Sequence, residues 1–409
     1  MSADPARAPG GAGRDAGAHV LVMSNRYDTE PGAGGTEALT ADLVTALTAR
    51  SLRVTWLTPA AAGQQRAGAV PPPARAWRER EDDQAAALAP VLGRLAPVDL
   101  VHLTHFSRTG LAFLDQPPLR HVPLVATLTD YTAVCADYQM VHRRTGDECA
   151  APVPAEDCAN CLATHPDGAA PSAAEVAGWR HRNLRLLNDR CRAVWVQTPH
   201  QGRVLVRAGL RKSLIVRDRA EYDIPAHWGP APRSAPVVLF VGRASPEKGL
   251  HVLLEAFRQW AGAARLVVVT SADDPAYEAR LRERAAADPR VEWRPPLRRG
   301  DLGALLAGAG ALAVPSQWPE NYPMVVHYAR ALGVPVVCSS VPSMEHLGQR
   351  DGVWLVDRRD DPRAWVDALD AVLSGPAGAR EDRTGQFRAA YKQFVDEIAG
   401  VYATVLAGR

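Results

Sequence analysis

The 409-residue sequence predicts an α/β fold of two parallel-sheet domains, and three observations carry the prediction. Short apolar runs of strand length alternate with longer segments of helical spacing, which marks layers of helices on parallel sheets. A proline-rich stretch between Ile224 and Pro236, IPAHWGPAPRSAP, breaks the alternation and suits an interdomain linker. After that break the run VVLFV, Val237 to Val241, enters a glycine-bearing turn, GRASPEKG, where open α/β sheets bind their ligands.

In the first half, strands are expected at His19–Ser24, Arg53–Leu57, Leu100–Leu103, Pro123–Leu128 and Ala193–Gln197, with helices near Gly35–Arg50, Trp77–Leu95 and Gln201–Ala208. The second half places strands at Val237, Leu266, Val291, Ala311, Val336 and Val353, with a helix from Leu250 to Trp260. Phe387, Tyr391, Phe394, Ile398, Tyr402 and Val405 recur at helical spacing, so Gly385–Ala407 reads as a terminal helix. The expected organisation is a disordered tail over 1–18, a first domain over 19–224 with a cysteine-containing insertion at 136–170, a linker over 225–236, a second domain over 237–384 and a closing helix over 385–409.

Composition excludes several classes. Hydrophobic content of 47% with 22% charged residues is ordinary for a globular chain with a large core. A net charge of +2, dispersed arginines and 6% aromatic residues give no support to nucleic-acid binding. No run of about 18 apolar residues predicts a membrane span. The first residues carry arginine without a following apolar core, so no secretory signal is read and a cytoplasmic protein is expected.

The chemistry is densest in two segments of the second half. Arg243 and Lys248 stand at the carboxyl end of a strand, so an anion is the expected guest. Gly310–Val314 then reads as a strand, Pro315–Asn321 as a loop, and Pro323 suits the first turn of a helix because its missing N–H costs nothing there. Backbone donors around Tyr322, Met324 and Val325 would face a phosphate. Glu320 is a poor phosphate ligand, and its use is hydrogen bonding to hydroxyls. Of 47 basic residues only Lys212, Lys248 and Lys392 are lysine, so this arginine-biased chain keeps a compact point charge where a phosphate would use one. Alone, Arg243 and Lys248 would read as solvated turn residues; the PENYP element at its distance favours a diphosphate site.

At these residues the sequence resembles the family 4 retaining glycosyltransferases of the GT-B fold. VGRASPEKGL, VPSQWPENYP and ARALGVPVV follow the family's donor-site pattern. HVLVMSNRYDTEPGAGGTEALTADLVTALTARSLRVTWLTP is similar to its opening strand, glycine loop, helix and second strand, and PLVATLTDYTAVC to a strand and loop that usually read T-L-H-D-[YF]-x(3)-C. The resemblance implies two Rossmann-like domains facing across a cleft and a nucleoside-diphosphate sugar as donor, without a catalytic metal. It implies that Arg243 and Lys248 bind the diphosphate and that Glu320 contacts donor-sugar hydroxyls. Gly34, Gly35 and Asp130 would line the cleft from the other side, and Asn321, Tyr322, Met324, Val325 and Tyr328 would border the donor. Backbone around Arg294 and Leu297 would meet the base. Glu320, Asp130, Arg243 and Lys248 are the implied catalytic set. For retention the family is thought to attack from the face the leaving group departs, a phosphate oxygen taking the acceptor proton. Two positions depart from the pattern: Tyr328 replaces a second Glu that holds ribose hydroxyls, and Thr129 replaces the His before Asp130.

Four of the six cysteines, Cys135, Cys149, Cys158 and Cys161, fall within 27 residues and end in C-x-x-C. A structural metal, zinc by its thiolate preference, is the first reading; unligated thiols, or a disulfide or iron–sulfur arrangement, are the alternatives. A branch of the resembled family carries similar cysteines. Cys191 and Cys338 read as buried thiols. The basic helix Trp179–Arg192 either covers a sheet with Leu184, Leu187 and Cys191 or lies on an acidic membrane surface. Among His105, His142, His165 and His327, His105 ends a strand and is the one expected at the cleft.

Three functions fit these features. The first is a retaining glycosyltransferase with a small-molecule or saccharide acceptor. A related coupling enzyme would use an unusual nucleophile, and a non-catalytic partner would keep the phosphate grip alone. Donor turnover separates the last from the others.

Overall fold

The structure, a computed structural model, describes residues 17–28, 34–59, 77–95, 97–107, 109–164, 170–217, 222–231, 236–271, 274–348, 352–374 and 381–408. Most of the tail expected over 1–18 lies outside the described residues, as do His165 and part of the expected linker.

The first half forms β1 (His19–Met23), α1 (Gly35–Thr48), β2 (Arg53–Leu57), α2 (Trp77–Arg94), β3 (Leu100–Leu103), β4 (Leu124–Leu128), α3 (Ala155–Leu162), α4 (Ala173–Arg190), β5 (Cys191–Val196), α5 (Pro199–Arg207) and β6 (Ile215–Arg217). These strands make a six-stranded sheet of order β2-β1-β3-β4-β5-β6. Beyond the linker come β7 (Val237–Val241), α6 (Leu250–Gln259), β8 (Arg265–Val269), α7 (Pro275–Ala285), β9 (Val291–Arg294), α8 (Arg299–Gly308), β10 (Ala311–Val314), α9 (Met324–Ala331), β11 (Val336–Ser339), β12 (Val353–Val356), α10 (Pro362–Leu373) and α11 (Thr384–Ala407). Their sheet also has six strands, in the order β12-β11-β10-β7-β8-β9.

Adjacent strands of both sheets run parallel. Helices on both faces leave no side of the inner strands for water, which is why β1, β3, β4 and β10 are buried throughout and apolar apart from the hydrogen-bonded His19, His102 and Thr127. In α1 the buried Leu39, Leu43 and Leu47 recur every fourth residue and form the stripe that packs on the sheet. α4 opens on a capping box, the Glu175 N–H donating to Ser172 Oγ and the Ser172 N–H to Glu175 Oε2. It buries Val176, Trp179, Asn183 and Leu187 against the first half, so its apolar side is used in packing. The cysteine-containing insertion contains α3, and β6 was not anticipated because three residues carry no period.

One apolar core joins the halves, with Val20, Trp195, Tyr222, Trp228, Leu239, Tyr328 and Tyr402 in the same cluster. Two chain segments cross between them. In the linker, the carbonyls of Ile224, Pro225, Ala226 and Trp228 all accept from the Arg388 guanidinium of α11, at 3.0, 2.8, 3.2 and 3.0 Å. α11 then returns to the first sheet. There His102 stands between Tyr402 Oη at 2.6 Å and Thr127 Oγ1 at 2.8 Å, and Trp195 Nε1 donates to Glu397 at 2.9 Å. Burial drives the His102 imidazole down to about 3, so it is neutral and uses one nitrogen as donor and the other as acceptor. Tyr402→Phe strips His102 of one buried partner and is expected to lower unfolding free energy by about 1–3 kcal/mol in urea denaturation. An unchanged midpoint would mean that the pair does not anchor the helix.

Candidate functional site

Strand order reverses between β1 and β3 in the first sheet and between β7 and β10 in the second. At such a switch point neighbouring loops leave the carboxyl edge in opposite directions and open a crevice. The two crevices face each other and share a cleft of about 540 Å3, bordered by residues following β1, β3 and β4 on one side and β7 to β10 on the other.

On the second-domain wall the turn after β7 carries Arg243 and Lys248, and the loop after β10 carries Ser316, Trp318 and Glu320. Lys248 Nζ lies 2.9 Å from Glu320 Oε1, which also accepts from Ser316 Oγ, and it stands 5.5 Å from the Trp318 ring centre. Arg243 reaches Glu247 at 3.3 Å, one turn along the same loop. Gly249 makes this possible: its φ is +70°, and a Cβ there would sit 1.7 Å from the Pro315 carbonyl oxygen. Beyond Glu320, Pro323 precedes α9, and Met324 and Val325 of its first turn border the cleft. Leading N–H groups of a helix have no intrahelical acceptor and carry the positive end of its dipole. Two cations and a helix N-terminus thus face one space, an arrangement suited to a diphosphate.

The first-domain wall contains Gly34, Gly35, Glu37, His105 and Asp130. His105 Nε2 is 2.8 Å from Asp130 Oδ2, and Nδ1 is 3.6 Å from Glu37 Oε1. Glu37 is held from below by the Gly34 N–H at 2.8 Å, and Asp130 Oδ1 by the Thr132 N–H at 2.8 Å. Burial pulls the His105 imidazole down, but the Asp130 and Glu37 carboxylates outweigh it and raise it to about 9. Burial likewise pushes both carboxyls up, and the imidazolium outweighs it and holds them below their usual range. The wall is therefore a carboxylate–imidazolium–carboxylate row at neutral pH. Glu37 was not among the residues singled out from sequence; its available signal was an acidic side chain in the first turn of the helix after the glycine loop.

The contacts that join the walls beside this cleft include two to backbone carbonyls. Asn321 Nδ2 donates to the Thr129 carbonyl at 2.9 Å, and Tyr222 Oη, itself accepting from Gln197 at 2.8 Å, donates to the Tyr322 carbonyl at 3.3 Å. Gly35 fits where a Cβ would meet Tyr222 Oη at 3.3 Å and the Met324 Cβ at 3.4 Å.

The residues picked from sequence are not all gathered here. Gly34, Gly35, Asp130, Arg243, Lys248, Leu297, Glu320, Asn321, Tyr322, Met324 and Val325 border the cleft. Tyr328 does not: its ring is buried 4.9 Å from the Trp228 ring and 5.3 Å from the Arg299 guanidinium. Arg294 pairs with Glu292 at 2.6 Å, and its carbonyl accepts from Thr270 across β8 and β9. Thr129 reaches the cleft, but its hydroxyl is tied to Thr36 at 2.9 Å and the Thr104 carbonyl at 3.2 Å. His327 is a core residue bound to the Tyr222 carbonyl. Cys135, Cys149, Cys158 and Cys161 line one cavity of about 20 Å3, yet among the described residues no three His, Cys, Asp or Glu side chains are grouped to hold a metal ion. The thiolate metal site expected from sequence is not supported by this arrangement. Cys158 accepts from Arg180 at 3.0 Å and Cys161 from the Arg143 N–H at 3.3 Å, while burial pushes Cys135 and Cys149 up to about 12, so these two are neutral thiols. Cys191 and Cys338 are buried, as expected.

The raised His105 value has a definite sign. A group whose folded pKa lies above its ordinary 6.5 stabilises the fold below that pH and loses the contribution as pH climbs toward 9. The thermal midpoint of the wild type is expected to fall over that interval more steeply than that of His105→Asn; parallel profiles would refute the charged row. Gly249→Ala is expected to cost at least about 1–2 kcal/mol from the left-handed backbone alone, with the Pro315 clash added, measured by chemical denaturation.

Residues 235–375 match the family described as glycosyl transferases group 1. A D-inositol 3-phosphate glycosyltransferase of Xylanimonas cellulosilytica is 34% identical over 183 residues, which is 43% of this chain and 43% of that protein. One from Mycolicibacterium paratuberculosis is 35% identical over 155 residues, 36% of this chain and 34% of that protein. The chain thus aligns with less than half the length of these curated relatives. In fold the likeness extends further. Sucrose-phosphate synthase from Thermosynechococcus elongatus superimposes with a TM-score of 0.70 at 18% identity, over 96% of this chain and 100% of that one. Anabaena Alr3699/HepE, solved in complex with UDP and glucose, gives 0.66 at 16% identity, over 94% and 99%. Residues 235–375 match the glycosyl transferases group 1 family, and the chain shares its two parallel-sheet α/β domains with the GT-B glycosyltransferases it superimposes on.

Proposed function

We propose that this chain is a retaining, hexosyl-type glycosyltransferase that moves a sugar from a nucleoside-diphosphate donor to a small-molecule or saccharide acceptor. The observation that carries the reading is the convergence of Arg243, Lys248 and the first turn of α9 on one space, with the Glu320 carboxylate beside it. The cations and helix would stabilise the negative charge that grows on the departing diphosphate, an electrostatic contribution of several kcal/mol when donors are preorganised. The compensating positive charge is supplied by Arg243, Lys248 and the helix end, so the reading needs no metal at the diphosphate. Glu320 and Asn321 would face the sugar.

In the proposed step the bond from the anomeric carbon to the phosphate oxygen breaks and the acceptor oxygen bonds to the same face. The acceptor's proton passes to an oxygen of the leaving diphosphate, so no side-chain nucleophile is required. The acceptor would enter along the first-domain wall, where Asp130, oriented by His105 and Thr132, can accept from a hydroxyl. Curated relatives named for an inositol phosphate acceptor and a fold neighbour named for sucrose phosphate synthesis support a hydroxylated acceptor of that general class. Six free cysteines and no helix among the described residues long and apolar enough to cross a membrane favour a reducing, cytoplasmic setting.

Calorimetry with uridine, guanosine, adenosine, thymidine and cytidine diphosphates tests the donor site. One nucleotide is expected to bind, and Arg243→Ala and Lys248→Ala are each expected to weaken it roughly 10- to 100-fold, the scale of one charge-assisted hydrogen bond. Binding that survives both substitutions would sink the assignment. The anomeric configuration of the product, read by NMR, decides retention.

A further inference from the structure

Asn321 has one half of its amide unaccounted for. The residue is buried, 7% exposed, and lies on the loop between β10 and α9. Its Nδ2 donates to the Thr129 carbonyl. A carbonyl oxygen can only accept, so the atom facing it is the nitrogen, and Oδ1 is the atom left over. Oδ1 has no partner, and neither does the buried Trp318 Nε1 that borders the same cleft. A buried acceptor and a buried donor without partners are costly unless a ligand satisfies them.

The chemistry of these two atoms names the ligand group. Oδ1 requires a hydrogen donor, which a diphosphate oxygen at neutral pH cannot be. Nε1 requires an acceptor. A hydroxyl is both, and a ring bearing several hydroxyls presents donors and acceptors at neighbouring positions. The cations that suit the diphosphate, Arg243 and Lys248, lie on the other loop of the same wall, and Asn321 and Trp318 add neutral hydrogen-bonding atoms beside the Lys248–Glu320 pair.

We infer that Asn321 is a specificity-determining residue for the transferred group: its Oδ1 accepts from a hydroxyl of the donor's sugar ring while its Nδ2 holds the two domains together at Thr129. This rests on the donor reading above. The Thr129 hydroxyl is occupied by Thr36 and Thr104, so the first domain contributes its carbonyl at this point and leaves side-chain recognition to Asn321.

The test compares two ligands on each protein by calorimetry. The ligands are the nucleoside diphosphate and the matching hexose conjugate that the wild type binds most tightly, chosen among uridine, guanosine and adenosine diphosphates carrying glucose, galactose, mannose or N-acetylglucosamine. Asn321→Ala is expected to keep the affinity for the bare diphosphate, which also reports that the variant is folded. It should shift the ratio of the two constants against the conjugate by roughly 5- to 10-fold, the size of one neutral hydrogen bond. Among the 2-, 3-, 4- and 6-deoxy analogues of that conjugate, one is expected to lose roughly 5- to 10-fold in the wild type and nothing further in Asn321→Ala, a coupling that a purely structural role would not produce. If the bare diphosphate binds but the ratio is unmoved in Asn321→Ala, or if every deoxy analogue loses as much in Asn321→Ala as in the wild type, this inference alone is overturned. If no ligand of the set binds the wild type, the donor reading fails and the inference falls with it.

Discussion

Lys248 meets Glu320 because Gly249 has no side chain. The loop after β7 and the loop after β10 come close enough for the Pro315 carbonyl to occupy the volume of a Cβ, and the left-handed backbone at Gly249 turns α6 away from that contact. The rest of the second-domain wall inherits this approach. It fixes the distance between the basic turn and the carboxylate loop, and through that loop the position at which α9 begins. A crevice at a strand-order reversal would exist without it, but the cation and the carboxylate would not share it.

The opposite wall is organised by charge. Glu37, His105 and Asp130 come from three separate elements, and each is oriented by the row it belongs to. Alternating charges of this kind hold a definite direction in a partly buried site, where removing the central imidazolium would leave two carboxylates uncompensated. Between the walls, an amide meets a carbonyl at Asn321 and a phenol meets a carbonyl at Tyr222, beside the Tyr138–Trp318 ring contact and the shared apolar core. The two halves thus bring different electrostatics to one space, a loop with two cations and a helix end facing a row that keeps one net negative charge.

Much of the fold was legible because parallel sheets bury both faces of a strand and write themselves as uninterrupted apolar runs. β7, with its VVLFV, is such a run; β6, with three residues at the sheet edge, is not. Arg243, Lys248 and Glu320 were legible because glycine, proline and charge occur together only where backbone geometry and ligand chemistry coincide. Tyr328 was not. It lies eight residues after Glu320, and spacing alone does not say that Trp228 from the linker packs over its ring and turns it from the cleft. Near Arg294 it is Leu297 that borders the cleft, while the Arg294 side chain pairs with Glu292 two residues earlier on the same strand. The cysteines illustrate a different limit: proximity along the chain brought all four to one cavity, but their mutual arrangement depends on how α3 packs on α4, and Arg180 and Arg143 supply partners that the spacing could not reveal. His105 was singled out by its place at a strand end, whereas its charged state depends on two carboxylates far away in sequence.

The halves are joined by two segments rather than one, the linker near Trp228 and the helix α11, and Arg388 staples the second to the first. A single tether lets two bodies twist and swing in any direction. Two attachments define a line, and motion that strains neither is rotation about it. Any opening of the cleft then resembles a door on paired hinges, so that Asn321 and Thr129, or Gly35 and Met324, return to the same facing positions each time it shuts.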